Sequence, residues 1–274
     1  VQEDIKELVK LRNKAAKELG FDNFHSMSLE LSEQDPDYIE KIFDKLDKLT
    51  KDEYVELKKE IDASLADRYG IKPEELKPWH YQNRYFQEAP GIYDVDLDKY
   101  YEDADLVQAA IDYYGSIGMD IKDIVERSDL YERENKSQHA FCFNVNRDDK
   151  DIRVLCNIKP NYNWMNTVLH EYGHAVYEKY LDQDLPYILK QPAHIFATEG
   201  IAMLFGRFAS NANWMHDVIG VSKEEKNEIA EMAYKMQKLE QLVFSRWSQV
   251  MYRFEKSMYE NPDQDLNKLW WDLV

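Results

Sequence analysis

The chain is 274 residues long and carries 35 Lys and Arg against 53 Asp and Glu, a net charge of −18. That length buries a sizeable core in one large domain or two small ones. So negative a surface repels phosphate backbones and anionic lipid, which argues against nucleic acid and membrane as partners. With 44% hydrophobic and 32% charged residues, the composition is that of a folded globular protein. No run of about 18 uncharged apolar residues is available to span a bilayer. Two cysteines, Cys142 and Cys156, are too few for a disulfide scaffold and leave either one bridge or two free thiols. No basic-then-apolar leader follows Val1, which points to the cytoplasm. A start without Met suggests a trimmed chain and leaves room for a removed export signal.

Nine glycines and eight prolines are sparse, which favours helices. Apolar residues at Ile5, Leu8, Val9, Leu11, Ala15 and Leu19 predict a first helix ended by Gly20. A second begins after Pro36 and runs through Ile39, Ile42, Phe43, Leu46 and Leu49. It continues, with room for a break, through Tyr54, Leu57, Ile61 and Leu65 to Gly70. Residues 71–100 hold Pro73, Pro78, Pro90 and Gly91 and read as loop with short helical turns. Helix resumes from Leu106 to Ile117 and stops at Gly118. Two apolar, β-branched runs at 139–145 and 152–158, joined by the polar 147–150, predict a hairpin. Helices then dominate at about 162–182, 193–210, 222–261 and 266–272. The fold class is mainly α with a small antiparallel sheet.

Within the 162–182 helix stands His170-Glu171-Tyr172-Gly173-His174. At about 100° per residue the two histidines lie about 40° apart, one turn above the other, so both imidazoles can reach one metal ion. Glu171, rotated about 100° from His170, flanks that ion and can meet its water. Val168, Leu169, Val176 and Leu181 make this a buried helix, where polar side chains need partners. A catalytic zinc takes three protein ligands and leaves one position for water. The third candidate is Glu199, 25 residues after His174 in an otherwise apolar helix. A salt bridge to a distant Lys or Arg is the plainer role for that carboxylate. His194 is a rival ligand, but its place beside Pro192 at the helix start suits a capping or cleft histidine. The set is therefore Zn2+ on His170, His174 and Glu199, with Glu171 as general base. That chemistry hydrolyses an amide, most naturally a peptide bond.

These residues resemble the angiotensin-converting-enzyme-like zinc peptidases of the gluzincin group. The likeness includes Asp184-Leu185-Pro186, Glu199-Gly200, Leu239-Glu240, Trp270-Trp271-Asp272-Leu273, and His139-Ala140 with Asp151-Ile152-Arg153. It covers roughly 105–274, and the first hundred residues match only loosely. The resemblance implies a helical gluzincin-type lobe with its hairpin beside the zinc helix, in a two-lobed fold with a deep cleft. It makes residues 1–274 a single catalytic domain, with 1–135 as a helical cleft wall and 136–274 as the zinc-binding core. It also implies cleavage of short peptides, often by removing a C-terminal dipeptide. His139 and Ala140 would then bind substrate backbone as an added strand, or the hairpin would merely pack against the zinc helix.

Two departures stand out. Where the family places an acidic residue one turn after the ligand glutamate, this chain has Met203. Glu178, one turn beyond His174 on the same face, can replace it as the group orienting a histidine, or stay solvated. The family's oxyanion-stabilising His and Tyr follow the Trp-Trp motif, and the chain stops at Val274. The expectation is therefore a domain incomplete at its C-terminus. A zinc-binding but catalytically incompetent fragment or peptide-binding module is the alternative, and a missing C-terminal segment of the same protein the partner it would need. The aromatic run 78–86, with His80, Gln82 and Arg84, can line a cleft but more often such clusters pack.

Overall fold

The computed structural model describes residues 2–274. Among the described residues, ten α-helices and one hairpin follow in order: α1 (Gln2–Glu18), α2 (Phe24–Leu31), α3 (Pro36–Tyr69), α4 (Leu106–Ser116), α5 (Lys122–Arg127), β1 (Phe141–Asn146), β2 (Asp151–Leu155), α6 (Tyr162–Lys179), α7 (Ile195–Gly206), the single turn α8 (Ala212–Trp214), α9 (Lys223–Glu260) and α10 (Leu266–Leu273). The mainly α class with a small antiparallel hairpin is what the periodicity predicts. No helix among the described residues is long and apolar enough to cross a membrane.

The chain forms two compact units. Unit one comprises Val1–Ile92 and Lys238–Val274. Its longest element, α3, starts at Pro36 behind Asp35, whose carboxylate accepts from the Asp37 and Tyr38 N–H groups at 2.9 and 3.0 Å. It runs unbroken to Gly70, which closes it in the left-handed region at φ 66°. Side chains zip α3 to the second half of α9. Arg246 binds Asp47, Arg253 meets Asp44 at 2.8 Å, Gln249 Nε2 donates to the Phe43 carbonyl at 2.7 Å, and Phe43 stacks on Tyr252. The aromatic run at 78–86 packs in this unit. Tyr81 and Phe86 help line a cavity of about 320 Å³ with Tyr54, Trp247 and Trp271. Tyr81 is held there by Asp62 at 2.7 Å and Lys58 at 2.8 Å.

Unit two, Tyr93–Gln237, carries the hairpin and the helix of the histidine motif. Residue 135, where the expected cleft wall meets the expected core, lies within this unit. Leu106, Ala110, Tyr114, Ile121 and Ile124 share one hydrophobic cluster with Ile152, Val154, Val168 and Leu169. Tyr114 crosses that core to donate to the Leu169 carbonyl at 2.6 Å. β1 pairs antiparallel with β2, with a bulge between Asn144 and Asn146. On the far side of β2, Asp129 and Leu130 continue the ladder through Asp129 N to Val154 O, Cys156 N to Asp129 O and Ile158 N to Leu130 O. Among the described residues, the other edge of β1 pairs with no strand. Both cysteines are free thiols.

Candidate metal centre

Asn161 starts α6 by accepting from the Trp164 N–H at 2.9 Å, and the buried side of that helix is Met165, Val168, Leu169, Tyr172, Ala175 and Val176. The apolar face fixes the rotation of α6 and turns His170 and His174 together to the other side. Their Nε2 atoms stand 3.2 Å apart.

Gly173 lies between them at the crossing with α7. A Cβ built there would sit 2.8 Å from the Ala202 Cα. Only glycine lets the two helices approach so closely. The same crossing sets Gly206 against Asn166 and His170. It carries Glu199 to the histidines, its Oε2 3.0 Å from His174 Nε2 and 3.5 Å from His170 Nε2. His194 caps α7, its Nδ1 accepting from the Phe196 N–H at 3.0 Å, as its place at the helix start predicts.

Glu199 differs from expectation in its surroundings. Its side chain is 51% exposed, and α7 shows Ile195, Phe196, Met203 and Leu204 on its open side. Its compensation is the pair of imidazoles: among the described residues no Lys or Arg pairs with it.

Glu171 is buried beside this cluster, 7% exposed. Burial and the nearby Glu199 charge push its carboxyl up to about 7, against the opposing effects of His139 and of the Cys142 N–H, which donates to it. Burial, reinforced by His174, lowers the His170 pKa, with Glu199 opposing. His139 thus lies within electrostatic reach of Glu171. Ala140 immediately precedes β1 and is buried in the core cluster.

Glu178 does not take the orienting position. Its carboxylate accepts from Asn144 Nδ2 at 2.9 Å, tying the end of α6 to β1. The back of the His174 ring faces α7 instead, with Nδ1 2.8 Å from Thr198 Oγ1. Sequence reasoning missed Thr198, and its one available signal was its place directly before Glu199.

The three side chains suit a zinc ion. Bond lengths of about 2.0–2.2 Å in a tetrahedral site separate ligand atoms by about 3.3 Å, and the observed separations of 3.0, 3.2 and 3.5 Å bracket that value. Two imidazole nitrogens and one carboxylate oxygen are a donor set that zinc takes in hydrolytic enzymes.

Residues 122–273, more than half of the chain, match the family model described as Peptidase family M3. The chain belongs to peptidase family M3. The M3 match begins in α5 and contains the hairpin, α6 and α7, so the candidate centre lies wholly within it. Membership in M3 makes this a peptidase chain, the broader class to which the converting-enzyme-like resemblance also points. A comparison with curated proteins finds no match.

Proposed function

We propose that the protein is a zinc-dependent peptidase that hydrolyses short peptides. The observation that carries this reading is the convergence of His170, His174 and Glu199 beside a buried Glu171, in a chain of the M3 peptidase family. His170, His174 and Glu199 would hold the zinc ion, which would supply Lewis-acid chemistry: a water made acidic enough to attack and a polarised carbonyl. Glu171, whose burial raises its proton affinity, takes the proton of the attacking water and delivers it to the leaving amine. The Cys142 N–H orients the Glu171 carboxylate.

The unpaired edge of β1 supports the substrate's place. An extended peptide can add there as a strand, passing His139 and Ala140 on its way to Glu171. The exposed Phe141, Phe143 and Val145 offer apolar contacts along the same strand. Removal of a C-terminal dipeptide is the finer activity that the converting-enzyme-like resemblance supports.

Replacing Glu171 with Gln tests the mechanism. The expected result is a loss of peptide hydrolysis by about 10²- to 10⁴-fold with zinc content unchanged. Product masses from short synthetic peptides read the cleavage position. Hydrolysis that persists in Glu171→Gln contradicts the assignment, and wild-type protein that holds zinc without any turnover favours the non-catalytic, zinc-binding reading.

A further inference from the structure

The two imidazoles of the candidate centre are held unequally. His174 is contacted at both ring nitrogens by neighbouring residues of α7: Glu199 at Nε2, 3.0 Å, and Thr198 at Nδ1, 2.8 Å. Among the described residues, no group hydrogen-bonds the Nδ1 of His170, whose Nε2 meets only His174 and Glu199.

A neutral imidazole carries one N–H, and the nitrogen without it is the one that can bind a metal. For Nε2 of His174 to present its lone pair toward His170 and Glu199, the proton must sit on Nδ1 and needs an acceptor there. Thr198 Oγ1 is that acceptor. Histidine ligands are commonly held in this way by a carboxylate or a backbone carbonyl, either of which only accepts. A hydroxyl both accepts and donates. With the ring in the other tautomer, Nε2–H can donate to Glu199 while the threonine hydroxyl turns to donate to Nδ1. The 2.8 Å contact is therefore satisfied with the proton on either nitrogen, and the ring keeps its orientation when the metal leaves.

We propose that Thr198 is a positioning residue for His174, selecting its metal-binding tautomer and holding the ring whether or not the site is loaded. The inference rests on the zinc reading of the site. It accounts for Met203 standing where an acidic partner is expected, and for Glu178 being free to bind Asn144. Thr198 and Glu199 together make two consecutive residues of one helix grip a single imidazole from opposite sides.

Competition with a chromophoric chelator tests this on the wild-type chain, Thr198→Val and Thr198→Ser. Valine keeps the shape and removes the hydroxyl, and serine restores it. Thr198→Val is expected to bind zinc about 10- to 100-fold more weakly, with Thr198→Ser within about threefold of wild type. The visible spectrum of the cobalt-substituted protein should change in the valine variant and not in the serine variant. Thermal unfolding of the three metal-free proteins separates this from a loss of fold. Wild-type zinc affinity and spectrum in Thr198→Val, or a serine variant as weak as the valine one, would overturn the inference. A wild-type chain that takes up no zinc overturns the underlying reading with it, and the wild-type arm alone reports that failure.

Discussion

At the scale of single residues, two glutamates show how surroundings set charge. Glu171 is buried beside another carboxylate, and Glu240 in α9 is raised by burial alone, its carboxyl pushed up to about 7. In the unfolded chain Glu240 ionises near 4.5. The neutral carboxyl therefore adds stability that is fully present below that pH and lost as pH rises through about 7. Gln at this position removes the dependence. Urea unfolding between about pH 4 and 8 should show wild type losing about 3 kcal/mol relative to Glu240→Gln over that range, and a difference flat in pH would contradict the burial argument. The site residues were legible to different degrees for related reasons. His170, Glu171 and His174 follow from helical spacing alone. Glu199 followed from a carboxylate in an apolar run, although that run turns much of its apolar surface outward. Glu178 had the right face and spacing, but helical geometry could not show that Asn144 from β1 competes for its carboxylate.

The crossing of α6 and α7 is the element-scale feature on which the centre depends. Alanine at position 173 is favoured over glycine within an isolated helix by about 1 kcal/mol. Here its Cβ would meet the Ala202 Cα at 2.8 Å, a backbone atom that cannot turn aside. Gly173→Ala is therefore expected to push α7 off α6, costing about 1–3 kcal/mol net and weakening zinc binding because Glu199 moves with α7. Calorimetry with zinc titration checks both effects, and wild-type zinc affinity in this variant would show that the close crossing does not position Glu199. Long elements with clear periods, α3, α6 and α9, were legible in sequence. The eight-residue α2 and six-residue α5 were not, being too short for periodicity to stand out. In α2 the overlooked signal was local: Asn23 and Ser26 form a reciprocal capping box. Thr198 went unseen because its partner is chosen by the helix crossing, which no local pattern encodes.

On the scale of the whole molecule, the contact pattern joins the two ends of the sequence in unit one and leaves the metal centre in unit two. Arg12 and Asn13 of α1 bind Tyr259 across 247 and 246 positions of chain, at 2.8 and 2.7 Å. Composition and periodicity describe local structure and do not report pairings at such separations, so the class was legible while the division into units was not. The metal cluster lies in unit two and within the stretch that matches M3. The central claim is that His170, His174 and Glu199 hold one zinc ion. Elemental analysis of the purified chain and of His174→Ala, each dialysed against micromolar zinc and then metal-free buffer, measures this most directly. One zinc per wild-type chain and close to none in His174→Ala is the expected result; a wild-type chain without zinc, or equal zinc in both proteins, would contradict it.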